Sequence, residues 1–99
     1  MFEIHLGPAG EVVMSGRLDA TQCEAALQFL NGLPEPRVID FAALDYIASA
    51  GLRVLLITQK RVRGAGAGLK LVNVNAPIHD IFRYAGFDRI IDITPAPSA

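Results

Sequence analysis

The feature that most constrains this chain is a change of period along it. Phe2, Ile4 and Leu6 alternate with Glu3 and His5, the two-residue period of a strand with one buried face. Beyond Asp19, stretches with apolar residues at helical spacing alternate with short apolar runs. A chain that opens with a hairpin and then alternates helix with strand points to a mostly parallel sheet with helices packed against it.

Gly7-Pro8-Ala9-Gly10 reads as a turn, and Glu11–Ser15 as a second strand pairing antiparallel with the first. Gly16–Asp19 leads into a helix with Asp19 as its N-cap, a carboxylate able to accept from a free amide of the first turn. Cys23, Ala26, Leu27 and Leu30 form its buried stripe, and Asn31-Gly32 its end. Arg37–Phe41 reads as a strand and Ala42–Ala48 as a loop. A second helix runs from Ala50-Gly51 through Arg63, and Gly64–Gly68 stops it. Leu69–Val74 is a strand. Asn75 caps a third helix with Pro77 in its first turn, the stripe Ile78, Ile81, Phe82 and Ala85, and Gly86 at C′. Asp88–Ile93 is a last strand, and Thr94–Ala99 a tail. The order is β-β-α-β-α-β-α-β.

At 99 residues the chain is one domain; 52% hydrophobic and 19% charged residues place it among globular proteins. A net charge of -1 gives none of the basic footprint of a nucleic-acid binder. The single cysteine, Cys23, excludes an internal disulfide and fits a reducing compartment. Met1–His5 lacks the basic and apolar regions of a secretory signal, and no apolar run approaches the roughly 18 residues that span a bilayer. These features predict a cytoplasmic protein with no nucleic-acid or membrane partner.

Signatures of catalysis are missing from the sequence. His5 and His79 lie on different elements and read as surface residues. No Cys/His spacing suits a metal. Gly64–Gly68 (GAGAG) is not GxGxxG and ends a helix instead of opening one, so it does not cradle phosphate. There is no GxSxG nucleophile elbow. No cofactor, metal or enzymatic activity is expected.

Ser49 stands at the mouth of the second helix. Its plain reading is an N-cap, worth about 1 kcal/mol. The functional reading starts from Ala50 and Gly51, which are small and leave the hydroxyl approachable. A phosphoryl group there would add roughly -1.5 to -2 charges, which a helix N-terminus tolerates. On a helical wheel Leu52, Leu55, Leu56 and Val62 share one side. Arg53, Ile57, Lys60 and Arg61 gather on the other, as an apolar centre with a basic rim suited to an acidic partner surface.

Gly16-Arg-Leu-Asp19, Arg37-Val-Ile-Asp-Phe41, Tyr46-Ile-Ala-Ser-Ala-Gly-Leu-Arg-Val-Leu-Leu56, Leu69–Val74 and Ile81-Phe-Arg-Tyr-Ala-Gly-Phe-Asp88 together resemble the STAS family, the domain of sulfate transporters and anti-sigma-factor antagonists. The resemblance spans nearly the whole chain. It implies a single STAS domain over residues 1–99, with 1–93 as core and 94–99 as tail. The implied fold is a four- to five-stranded, mostly parallel mixed sheet with an N-terminal hairpin and three to four helices. Function follows as a further implication. An antagonist of this type binds an anti-sigma factor that is also a serine kinase of the histidine-kinase-like ATPase type. Phosphorylation releases it, a PP2C-type phosphatase resets it, and transcription is thereby regulated. Ser49 falls at the phosphoacceptor position, with Asp19, Asp40, Ala48, Ala50 and Gly51 as its surroundings; Arg17, Ser49, Arg53, Ile57 and Lys60 would contact the partner. The sequence departs from the family at Ala48, where many members carry Asp and others Ser. That departure keeps a second role open: an unphosphorylated adaptor or scaffold subunit, for example of an ABC-type lipid-transport complex or a sensory pathway.

Overall fold

The computed structural model describes residues 1–36 and 38–97. Arg37, read as the start of a strand, and Ser98 and Ala99, read as the end of the tail, lie outside the described residues. Five strands form one sheet in chain order: β1 (Phe2–Leu6), β2 (Val12–Leu18), β3 (Val38–Ile47), β4 (Lys70–Val74) and β5 (Asp92–Pro95). The β1–β2 pair is antiparallel and the others are parallel. The crossovers carry α1 (Cys23–Asn31), α2 (Ser49–Gly64) and α3 (Ala76–Tyr84), and a 3-10 turn at Phe87–Arg89 follows α3. The α/β class, the hairpin and the element order are as the sequence reading has them.

Parallel crossovers are right-handed. Three in succession, each stepping one strand in the same direction, place all three helices on one face. Burial follows that geometry. Val12, Met14 and Leu18 of β2, Ile39, Phe41, Leu44 and Ile47 of β3, and Leu71 of β4 are buried under the helices. Val13, Ser15, Asp40 and Val72, on the other face, are only half-buried.

β3 continues through the stretch read as a loop. Its buried residues fall at 39, 41, 44 and 47, a spacing that no flat strand has. The register against β2 slips twice, between Val13 and Ser15 and between Gly16 and Arg17. Each slip adds a residue to β3, and each is a bulge. Asp40 serves the first: its Oδ1 accepts from the amide of Ala42 (2.9 Å) and from Asn73 Nδ2 (3.1 Å). Gly16 stands at the second, in the left-handed region (φ 83). A Cβ there would collide with the carbonyl of Met1.

Other boundaries move for local reasons. β2 extends to Leu18, and α1 starts only at Cys23, with Gln22 as its N-cap and no side-chain cap bond. Asp19 is therefore not the cap; its carboxylate is taken by a turn, accepting from the amide (3.1 Å) and hydroxyl (2.7 Å) of Thr21. Cys23, Ala26 and Leu30 are buried, with Leu27 beside them half-buried. Asn75 does cap α3, accepting from the Ile78 amide (3.0 Å). In the α3 stripe Ile78 and Phe82 are buried, Ile81 is half-buried and Ala85 is exposed. Gly86 takes the left-handed C′ conformation (φ 76). Phe87 then stacks on Phe82, ring centroids 5.9 Å apart, which curls residues 87–89 into a turn. The last strand consequently starts at Asp92 instead of Asp88 and runs to Pro95, into the stretch read as tail. Ala96 adds a bond to the Val74 carbonyl (2.8 Å).

α2 is rotated from its expected seat. Gly51, Val54, Leu55, Thr58, Gln59 and Val62 are buried, while Leu52 and Leu56 are half-buried. At 100° per residue, the buried arc is turned by roughly 60° from the leucine stripe. Three residues without apolar side chains make this possible. Gly51 permits close approach, and Thr58 returns its hydroxyl to the Val54 carbonyl (2.9 Å). Gln59 donates to the Ile90 carbonyl (2.5 Å) and accepts from the buried Leu69 amide (2.8 Å). Arg61, placed by sequence on the outward basic face, instead donates to the Leu30 (2.7 Å) and Leu33 (3.3 Å) carbonyls. A cation is favourable at this end of α1.

Gln59 thus joins α2 to the start of β4 and to the turn after α3. Replacing it with Ala leaves a buried amide unpaired, for which about 3 kcal/mol of lost stability is expected. Urea titration of Gln59→Ala against wild type measures that loss.

Candidate functional site

The C-terminal end of the β2–β3 pair builds the site. Leu18 and Ile47 are register partners and both are buried. The next residue, Ala48, donates its amide to the Leu18 carbonyl (2.9 Å). Its own carbonyl accepts from Gly51 (2.8 Å) and Leu52 (3.1 Å) and opens α2. Ala48 is therefore the N-cap, in extended conformation, and no side chain caps the helix. This corrects the capping role read for Ser49, which is the first helical residue. Ser49 is exposed, and its hydroxyl makes no hydrogen bond among the described residues. The amides of Ser49 and Ala50 precede the first helical bond, so the helix end presents free N–H groups beside that hydroxyl.

Gly51 holds this end down. A Cβ at Gly51 would lie 2.8 Å from Ile47 Cγ1 and 3.1 Å from Leu18 Cδ2. The first turn of α2 therefore rests directly on the Leu18–Ile47 corner.

Ser49, Arg53, Ile57 and Lys60 fall within roughly 80° of the α2 circumference, opposite its buried arc, and all four are exposed. Ile57 is 41% exposed, an apolar centre between two cations. The structure brings these residues together with Ala48, Ala50 and Gly51. Asp19 joins them: it follows Leu18 as Ala48 follows Ile47, so it flanks the mouth of α2. The donated hydrogen bond from the Thr21 hydroxyl holds its carboxyl below the usual carboxylate range.

Two expected members lie elsewhere. Arg17 pairs in register with Tyr46 and rests its guanidinium 4.3 Å from the ring centroid. Both project from the face opposite Leu18 and Ile47. Arg17 is thus at the same end of the sheet as Ser49 but on the helix-free side. Asp40 is no part of the Ser49 surroundings. It pairs with Val13, five β2 residues before Leu18, which at about 3.3 Å each puts it roughly 16 Å away along the sheet. Its carboxylate is engaged at the bulge. Sequence reasoning missed Tyr46 as the seat of Arg17; its signal would have been the strand continuing to Ile47.

Two outcomes test this geometry. Gly51→Ala gains helix propensity but forces a methyl into the corner, and a net loss of about 1–2 kcal/mol is expected by chemical denaturation. Thr21→Val removes the hydroxyl donor, so the Asp19 pKa should rise toward its ordinary value, read from the side-chain carboxyl signal in an NMR pH titration. The sign is that of a depressed carboxylate. Its stabilising contribution is present above the ordinary pKa and is lost as pH falls through the lowered one; the variant should lose part of that contribution.

Comparison with known proteins agrees with this architecture. The family model described as "Mlab, STAS domain" matches residues 5–93. BtrV of Bordetella bronchiseptica, described as an anti-sigma factor antagonist, is 35% identical over 89 residues, covering 89% of this chain and 75% of BtrV. A crystal structure from Thermotoga maritima, also described as an anti-sigma factor antagonist, superposes with a TM-score of 0.77 at 19% identity, covering 95% of this chain and 86% of that one. The phosphorylated form of SpoIIAA, a Bacillus cell fate determinant, gives a TM-score of 0.67 at 17% identity, covering 94% and 90%. At these identities the two structures speak for the fold alone. With the family match over most of its length and a relative of this identity, the chain belongs to the STAS domain family.

Proposed function

We propose that this protein is an anti-sigma factor antagonist that binds an anti-sigma factor with serine kinase activity and is released when Ser49 is phosphorylated. The observation that carries the reading is the placement of Ser49. It is exposed, it does not cap its helix, and it heads the stripe of Arg53, Ile57 and Lys60. Capping therefore does not account for a serine at this position. The relationship to BtrV supports an anti-sigma factor as partner.

The chemistry suits a switch. The Ser49 hydroxyl oxygen attacks the γ-phosphorus of ATP in the kinase site, its proton is lost, the bond to the β-phosphate oxygen breaks and ADP leaves. The resulting dianion sits at the positive end of α2, beside free amides, so the domain itself is not destabilised. Arg53, one turn on, can pair with it. A surface that offered a neutral hydroxyl and a basic rim then offers a bulky anion and a partly neutralised rim. An acidic partner surface loses its complement and is repelled. A PP2C-type phosphatase restores the hydroxyl by hydrolysis. In this role the protein is a binding partner and kinase substrate in the cytoplasm, not a catalyst.

Incubation with the cognate kinase, magnesium and ATP, followed by intact-mass analysis, should add one phosphoryl group to wild type and none to Ser49→Ala. Ser49→Asp should weaken kinase binding about tenfold or more, equivalent to about 1.4 kcal/mol. Unmodified wild type, or equal labelling of the Ala variant, rejects the reading. Recovery of an ABC-transporter subunit instead of a kinase in affinity purification would favour the scaffold role.

A further inference from the structure

We propose that the outer edge of β1 is a self-association surface, filled by β1 of a second copy of this chain in antiparallel register about Ile4. β1 lies at the margin of the sheet, and β2 is its strand neighbour among the described residues. Gly7 donates its amide to the Glu11 carbonyl (2.7 Å), and Arg17 donates to that of Met1 (3.0 Å). In an antiparallel pair such bonds recur at every second residue. With Glu3 in register with Ser15 and His5 with Val13, the main-chain groups of Glu3 and His5 face β2. Those of Phe2, Ile4 and Leu6 therefore face outward. β1 contains no proline, no lysine and no register shift, the devices that commonly blunt such an edge.

One two-fold register satisfies every outward group. With Ile4 opposite Ile4 of the second copy, Phe2 stands opposite Leu6 and Leu6 opposite Phe2, and each of these pairs exchanges two hydrogen bonds. Glu3 then meets His5 of the second copy twice, at non-hydrogen-bonded positions where Cα atoms approach to about 4.5 Å. A carboxylate accepts from an imidazole N–H at both. On the helix side, Phe2–Leu6 and Ile4–Ile4 become apolar cross-strand pairs and cover Leu6, which is 49% exposed in the single chain.

The alternatives are worse in charge as well as in bond count. Sliding the register by two residues one way sets Glu3 against Glu3; sliding it the other way sets His5 against His5. The first slide sets like charges directly opposite, which is unfavourable, and both slides lose the two Glu3–His5 contacts. The sequence Phe-Glu-Ile-His-Leu thus favours one self-pairing register over its neighbours. β1 is separated from β3 by β2, so this pairing leaves the stripe headed by Ser49 uncovered, and the inference does not depend on how Ser49 is used.

Sedimentation equilibrium of the purified chain, from micromolar to millimolar concentration, reads the outcome. A concentration-dependent rise to the mass of two chains is expected. Ile4→Pro should abolish it; the Ile4 N–H faces away from β2, so proline removes no ladder bond within the chain. Glu3→Lys, at an exposed position, should weaken dimerisation roughly tenfold, because both cross-strand pairs lose the carboxylate that accepts from the imidazole N–H. The double swap Glu3→His with His5→Glu preserves complementarity and should restore it. Circular dichroism checks that each variant is folded, and if Ile4→Pro is not, the Glu3 and swap variants decide. A monomer at every concentration, a dimer unmoved by Glu3→Lys, or a swap no tighter than Glu3→Lys overturns the proposal.

Discussion

Leu18 and Ile47 lie side by side at the ends of β2 and β3, buried beneath the first turn of α2. Most of the functional geometry depends on that corner. Because the Ala48 amide is bound to the Leu18 carbonyl, the chain leaves β3 in one direction only. Because Gly51 has no side chain, the helix can begin in contact with the corner instead of a methyl's width above it. Ser49 is then lifted to the surface by the same step that buries Gly51 two residues later. The exposure of the hydroxyl is a packing consequence, not an independent feature.

The one-sided arrangement of the helices extends this logic across the molecule. A sheet covered on one face gives α2 a wide buried arc and leaves its opposite arc to solvent, where Ser49, Arg53, Ile57 and Lys60 gather. Arg61 would enlarge that basic stripe, but its guanidinium is spent on the Leu30 carbonyl near the end of α1 and the Leu33 carbonyl just beyond it. The outward face of α2 is therefore narrower and less charged than a count of its cations suggests. The same layering leaves β1 at one margin, where its main-chain groups meet water instead of another strand.

Much of the fold was legible because the elements that matter most carry local signals. The alternation in Phe2–Leu6, the Asn75 cap with Pro77 behind it, and Gly86 at the end of α3 all sit where local rules put them. Misreadings arose where tertiary contacts override those rules. β3 loses its period because two bulges absorb extra residues, so Ala42–Ala48 resembles a loop when read alone. α2 turns a glycine, a threonine and a glutamine toward the sheet. Thr58 satisfies its hydroxyl within the helix, but Gln59 finds partners only in the folded chain, some 31 positions away at Ile90. No window of sequence contains that bond.

The site shows the same division. Ser49 and its neighbours on α2 share a short segment, and helical spacing was enough to group Ser49, Arg53, Ile57 and Lys60. The two acids could not be placed by sequence, where Asp19 reads as the cap of the first helix and Asp40 as the end of a short strand. Three-dimensional register separates them. Asp19 ends where β2 ends and so reaches the mouth of α2, while Asp40 sits near the start of a strand longer than it looked. An error of six residues in the end of β3, from Phe41 to Ile47, thus moves a carboxylate from one end of the sheet to the other. Asp40 keeps a role, but a structural one: by accepting the Ala42 amide at the bulge, it supports the irregular spacing that lets β3 bury Phe41, Leu44 and Ile47 together. The contribution of Asp40 to the Ser49 site is therefore exerted through the length and register of β3, not through its charge.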